Sequence, residues 1–137
     1  MATVQTEIEI SASPEVVWDA LRDFGALHER LVPGFVVDTE LDADGARLVT
    51  FFNGAVAREI LVGVDDDMRR LAYSVVEGPF ASTHHNASAQ VIAGERGGSR
   101  FVWTTDVLPD ALAAPTRELM GRGIAVIKTT LEAAGRE

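Results

Sequence analysis

The stretch DALAAPTRELMGRGIAVIKTTLEAAGRE, residues 110–137, closes the chain and decides how the rest is read. At the α-helical step of ~100° per residue, Leu112, Thr116, Leu119, Met120, Gly123, Ile124, Val126, Ile127, Thr130, Leu131 and Ala134 gather on one broad face. Arg117, Glu118, Arg122, Lys128, Glu132 and Arg136 gather on the other. The pattern predicts a long amphipathic helix with one face given to a core. Thr116 and Gly123 stand in the middle of that face, where bulk is usual. A glycine inside a helix costs roughly 1 kcal/mol relative to alanine. Either the helix backbone therefore lies hard against a sheet at Gly123, or the site is a hollow. Everything before residue 110 reads as the sheet on which this helix packs.

Working back from the helix, the chain alternates between strands and turns. Val4, Thr6, Ile8 and Ile10 interleave with Gln5, Glu7 and Glu9, the period of a half-buried strand. Ser13-Pro14-Glu15 then opens a helix, with Ser13 able to cap it and Pro14 suited to its first position. A second short helix is expected over 26–31, ended by Pro33-Gly34. Six further strands are predicted at 35–41, 46–53, 56–64, 70–76, 83–93 and 100–108. Asp-rich and Gly-rich turns separate them. Consecutive strands with short connections make an antiparallel meander, so the class is α+β.

Composition bounds the function. A chain of 137 residues is expected to form one domain over 1–137. Its 47% hydrophobic and 24% charged content is that of an ordinary globular protein. No apolar run approaches the roughly 20 residues that cross a bilayer, so no membrane insertion is expected. The first residues carry neither a basic region nor an apolar signal core, which points to the cytoplasm. The absence of cysteine removes disulfides, zinc fingers, thiol catalysis and Cys-ligated clusters together. A net charge of −9 with no basic cluster argues against nucleic acid and anionic membranes as partners.

Four pieces then carry a resemblance: Ile8 through Trp18 with its Ser13-Pro14-Glu15-Val16-Val17-Trp18 core, Phe24, Arg58-Glu59-Ile60-Leu61 with the Asp65–Asp67 turn, and the strand, Leu108-Pro109 and long-helix ending. Together they resemble the START/Bet v 1-like (SRPBCC) superfamily, in particular its bacterial polyketide cyclase/dehydrase-like branch. The resemblance covers the whole chain. It implies a helix-grip fold, in which a curved antiparallel sheet of about seven strands wraps a long C-terminal helix and two short helices follow the first strand. Members bind lipids, hormones, polyketides or isoprenoids. Some catalyse cyclisation or dehydration, and others act as carriers or co-chaperones, so the fold alone does not name an activity.

Strand parity assigns the inner face. Val49, Phe51 and Asn53 are expected inward on the second of the meander strands, by similarity to hormone-receptor relatives. The resemblance also places Glu59 inside, together with Ala57 and Leu61, although Ile60 stands where relatives carry arginine. Leu71, Tyr73 and Val75 group together, His85 points in while His84 points out, and Phe101, Trp103, Thr105 and Val107 face inward. The helix adds Met120, Gly123, Ile124 and Ile127. The expected result is a mostly apolar cavity with Asn53, Glu59, Tyr73, His85 and Thr105 as its polar groups, or a solid core filled by the same aromatic residues.

His85 and Glu59 are the only pair suited to acid–base work. In a dry pocket a carboxyl tends to stay protonated and an imidazole neutral. Such a pair can shuttle a proton α to a carbonyl while Tyr73 or Asn53 donates to an enolate oxygen. The same residues can equally orient a ligand without reacting. No metal is expected, because the adjacent His84 and His85 point apart and His28 is distant in sequence. Asp65–Asp67 and Asp42 with Asp44 read as hairpin turns, lacking the loop length and terminal glutamate of a calcium site. No cofactor is expected: Gly94, Gly97 and Gly98 do not join a strand to a helix. Three hypotheses follow: a binding module for a hydrophobic small molecule, a cyclase or dehydratase using His85 and Glu59, and a protein-interaction module of the co-chaperone type. An exposed edge strand would also allow a homodimer.

Overall fold

The computed structural model describes residues 1–134; positions 135–137 of the predicted closing helix lie outside the described residues. The strands are β1 (Ala2–Ile10), β2 (Val36–Leu41), β3 (Arg47–Phe51), β4 (Val56–Asp65), β5 (Arg70–Glu77), β6 (His84–Ala93) and β7 (Ser99–Leu108). They form one antiparallel sheet in the order β1-β7-β6-β5-β4-β3-β2. The meander runs unbroken from β2 to β7, and β1 then pairs with β7, so β1 and β2 are the two edges.

Alternation works as read along β1. Val4 and Ile10 are buried while Gln5, Glu7 and Glu9 are exposed. The helix α1 (Pro14–Arg22) starts at Ser13, whose Oγ accepts from Val16 N at 3.3 Å, with proline in the first turn. The expected second helix is two tight turns, a 3₁₀ turn at Phe24–Ala26 and a π-type turn at Leu27–Leu31. The aspartates are turn residues. Asp42 Oδ1 accepts from Asp44 N and Ala46 N at 2.9 and 3.1 Å, and Asp65 Oδ1 from Asp67 N and Met68 N at 3.0 Å.

The closing helix begins later than its sequence suggests. A 3₁₀ turn at Asp110–Leu112 precedes α2 (Ala113–Ala134). Its buried residues are Thr116, Met120, Gly123, Ile124, Ile127 and Leu131, all on the predicted face. Two polar ties fix its far end to the end of β1 and the residue after it: Lys128 Nζ donates to Glu9 O at 2.6 Å, and Glu132 Oε2 accepts from Ser11 N at 2.8 Å.

Trp18 is buried, and its Nε1 donates to Asp66 Oδ1 at 2.9 Å, which ties α1 to the β4–β5 turn. Leu61, expected inside, is 38% exposed, because the register shifts between Leu61 and Gly63 and alternation fails there. The distal half of β4 is exposed throughout, with Ile60, Val62 and Val64 open to solvent.

Candidate functional site

Between the inner face of the sheet and α2 lies a cavity of about 100 Å³. One water needs ~10–15 Å³, so this space admits a guest of several heavy atoms. Helix α2 contributes Thr116, Leu119, Met120 and Ile127; the sheet contributes Val49, Ala57, Leu71 and Phe101; Leu21, Leu27 and Leu31 close it from the early helical segments. The β5–β6 loop adds Gly78, Pro79, Phe80 and Ser82. The lining is mainly apolar with a few polar groups, the character of a small-molecule site.

The polar groups are placed by cross-strand register. Arg47 of β3 faces Glu59 of β4, and Glu59 faces Val75 of β5. Tyr73 faces Ala87, and Ala87 faces Thr105. Arg47 Nε donates to Glu59 Oε1 at 2.7 Å, with side chains only 6% and 8% exposed. A second guanidinium nitrogen, Nη1, donates to Phe24 O at 3.2 Å, and the guanidinium lies 4.0 Å from the centroid of the Phe24 ring. Phe24 thus seats this arginine through both its carbonyl and its ring. Trp103 Nε1 donates to Tyr73 Oη at 3.2 Å. Burial, reinforced by the Glu59 carboxylate, pushes the Tyr73 phenol well above its ordinary value, so it stays a neutral hydroxyl. Burial also pushes His85 below the ordinary imidazole range, with Glu59 partly opposing it. His85 therefore presents a neutral ring to the cavity.

Of the residues predicted for the site, Phe51, Glu59, Tyr73, His85, Trp103, Thr105, Met120 and Ile127 line the cavity. Three do not. Asn53 is exposed in the β3–β4 turn, where its Oδ1 accepts from Ala55 N at 3.1 Å; β3 ends at Phe51, so the inward position that the resemblance implied for Asn53 lies beyond the strand. Gly123 and Ile124 are buried but lie outside the cavity lining. A Cβ at Gly123 would stand 3.2 Å from Phe35 Cε2 and from Trp103 Cζ3. The glycine is thus a point of close approach, made by two aromatic rings rather than by sheet backbone.

Two cavity groups escaped the sequence reading. Arg47 shares parity with Val49 and Phe51, so the signal was present, but a charged residue at a strand start reads as surface. Thr116 was recognised as an oddity of the helix face and not as a lining group. Its Oγ1 is buried without a hydrogen-bond partner among the described residues. Glu59, expected to work with His85 as an acid–base pair, is the ion-pair partner of Arg47, and no hydrogen bond joins it to His85 among the described residues. His84 is exposed and His85 half-buried, as parity predicts. Among the described residues no cluster of three or more His, Asp or Glu side chains could hold a metal ion, and no helix is long and apolar enough to cross a membrane.

The family described as polyketide cyclase/dehydrase and lipid transport matches residues 1–133. No curated protein matches the chain. Among solved structures, protein XoxI from Bacillus cereus is 25% identical with a TM-score of 0.84, over 100% of this chain and 97% of that one. A START superfamily protein from Mycobacterium smegmatis is 12% identical, TM-score 0.72, over 98% and 97%. Norcoclaurine synthase from Thalictrum flavum, solved with dopamine and hydroxybenzaldehyde, is 19% identical, TM-score 0.73, over 97% and 85%.

Proposed function

The chain belongs to the polyketide cyclase/dehydrase and lipid transport family, and from that premise we propose that it binds a hydrophobic small molecule of polyketide, lipid or isoprenoid type between the sheet and α2. The observation that carries this reading is the mainly apolar cavity lined by Tyr73, His85 and the Arg47–Glu59 pair. Apolar walls supply affinity by removing ligand surface from water, and the few polar groups set orientation. In this reading the partner is the ligand, and the open edges of β1 and β2 are where a homodimer would form. The test is thermal unfolding with fatty acids, aromatic polyketides, sterols and terpenoids. A ligand of the folded state alone stabilises by RT ln(1 + [L]/Kd), about 2.7 kcal/mol at a hundredfold excess over Kd. A rise in Tm for one class is expected, and silence across all four overturns the reading.

A second reading, a cyclase or dehydratase, is favoured by His85. A neutral imidazole inside an apolar cavity can take a proton α to a carbonyl, and the neutral Tyr73 hydroxyl can donate to the enolate oxygen that results. Glu59 would act in such a step through Arg47, as a positioning residue. The related fold of norcoclaurine synthase, solved with two small aromatic compounds, supports the capacity of this architecture to hold such substrates. His85→Ala that leaves turnover of an identified substrate intact overturns this reading.

A further inference from the structure

Three buried side-chain polar atoms lack a hydrogen-bond partner among the described residues: His28 Nδ1, Thr39 Oγ1 and Thr116 Oγ1. Only Thr116 lines the cavity, and it is 2% exposed. Folded proteins rarely leave a buried hydroxyl unpaired, since its lost hydration is then uncompensated. The cavity's charge points the same way. Among the described residues Arg47 is the only lysine or arginine in its lining, and Glu59 already neutralises it at 2.7 Å. His85 is uncharged there, and Tyr73 keeps its proton. A carboxylate entering this space would lose its hydration, meet no unmatched cation, and approach the Glu59 carboxylate. The chain's net charge of −9 adds to that repulsion.

We infer that the cavity selects an uncharged ligand whose polar end is a carbonyl or hydroxyl, and that the Thr116 hydroxyl on α2 is the group that hydrogen-bonds it. The inference rests on the binding reading above and names the ligand's charge class. It separates neutral ketones and alcohols from the free fatty and aromatic acids that an arginine-lined pocket would suggest at first sight.

The experiment uses the full chain and four probes with one ring system: methylnaphthalene, acetylnaphthalene, naphthalenemethanol and naphthoate, titrated at neutral pH and followed by Trp fluorescence and Tm. Methylnaphthalene reports the apolar cavity alone. The neutral ketone and alcohol are expected to bind at least ~10-fold more tightly than naphthoate, the scale on which an uncompensated buried charge acts. Thr116→Val, which keeps the shape and removes the hydroxyl, is expected to weaken the ketone and alcohol roughly 5–10-fold, the loss of about one hydrogen bond. It should leave methylnaphthalene unchanged, and Thr116→Ser should retain binding of the polar probes. If no probe binds, the cavity reading itself falls, and this inference with it. If methylnaphthalene binds but naphthoate equals or exceeds the neutral probes, the charge selection is wrong while the cavity stands. If Thr116→Val weakens methylnaphthalene as much as the polar probes, Thr116 is a packing residue and its assigned role is overturned.

Discussion

Arg47 and Glu59 lie inside the molecule with less than a tenth of either side chain exposed. A buried ion pair contributes little net stability, because desolvation of both ions offsets their attraction. Each partner is nevertheless costly to remove alone, since the survivor is left as an uncompensated buried charge. Arg47 is further seated by the Phe24 carbonyl and ring, so its loss also empties a packed position. Arg47→Met and Glu59→Leu are each expected to lower the unfolding free energy by about 3–5 kcal/mol. The double variant, with two apolar side chains in contact, should be more stable than either single. Chemical denaturation of the four proteins measures the coupling. Additive losses would mean that the two side chains do not act as a unit.

Gly123 shows what the helix α2 gives up to grip the sheet. Alanine there would gain roughly 1 kcal/mol of helix propensity. Its Cβ would meet Phe35 and Trp103 at 3.2 Å, so both rings must yield by a few tenths of an ångström. Both border the cavity and have space to yield into. Gly123→Ala is therefore expected to stay within about 1 kcal/mol of the parent in denaturant, with a shift in Trp103 emission as the ring moves. Gly123→Leu exceeds what that space absorbs and should cost about 1–3 kcal/mol or more. A large loss already at alanine would show the rings to be locked, by the Trp103–Tyr73 hydrogen bond above all. At this scale the sequence was most legible. Alternation in β1 and the turn residues that separate the later strands located each strand within a few residues, and the 100° step found the buried face of α2, because these signals depend only on local geometry. Parity put His85 inward and His84 outward for the same reason. The inward positions that the resemblance implied failed where geometry stopped being regular, at Asn53 beyond the end of β3 and at Leu61 beside the register shift of β4. The Arg47–Glu59 pair, its seat against Phe24, and the unpaired Thr116 hydroxyl are products of tertiary packing, which no single strand's pattern encodes.

As a whole the molecule keeps free space where a more stable protein would have side chains. Close packing is the norm for interiors, and Ala57, Ala87 and Ala89 put the smallest side chains on the inner face opposite the helix. Ala89 is 3% exposed, stands beside Leu71 and Trp103 across the strands, and lines the cavity. Valine at this position adds two methyl groups that suit a strand and point into empty volume. If the cavity exists to hold a ligand, filling it should trade function for stability. Ala89→Val is expected to raise the unfolding free energy by about 0.5–2 kcal/mol and to abolish the Tm shift caused by methylnaphthalene. Both readouts are needed. A rise in stability with ligand binding intact would place the guest elsewhere in the cavity. A fall in stability would mean that the inner face at Ala89 is already close-packed, and that the space needed for a ligand opens only when the ligand arrives.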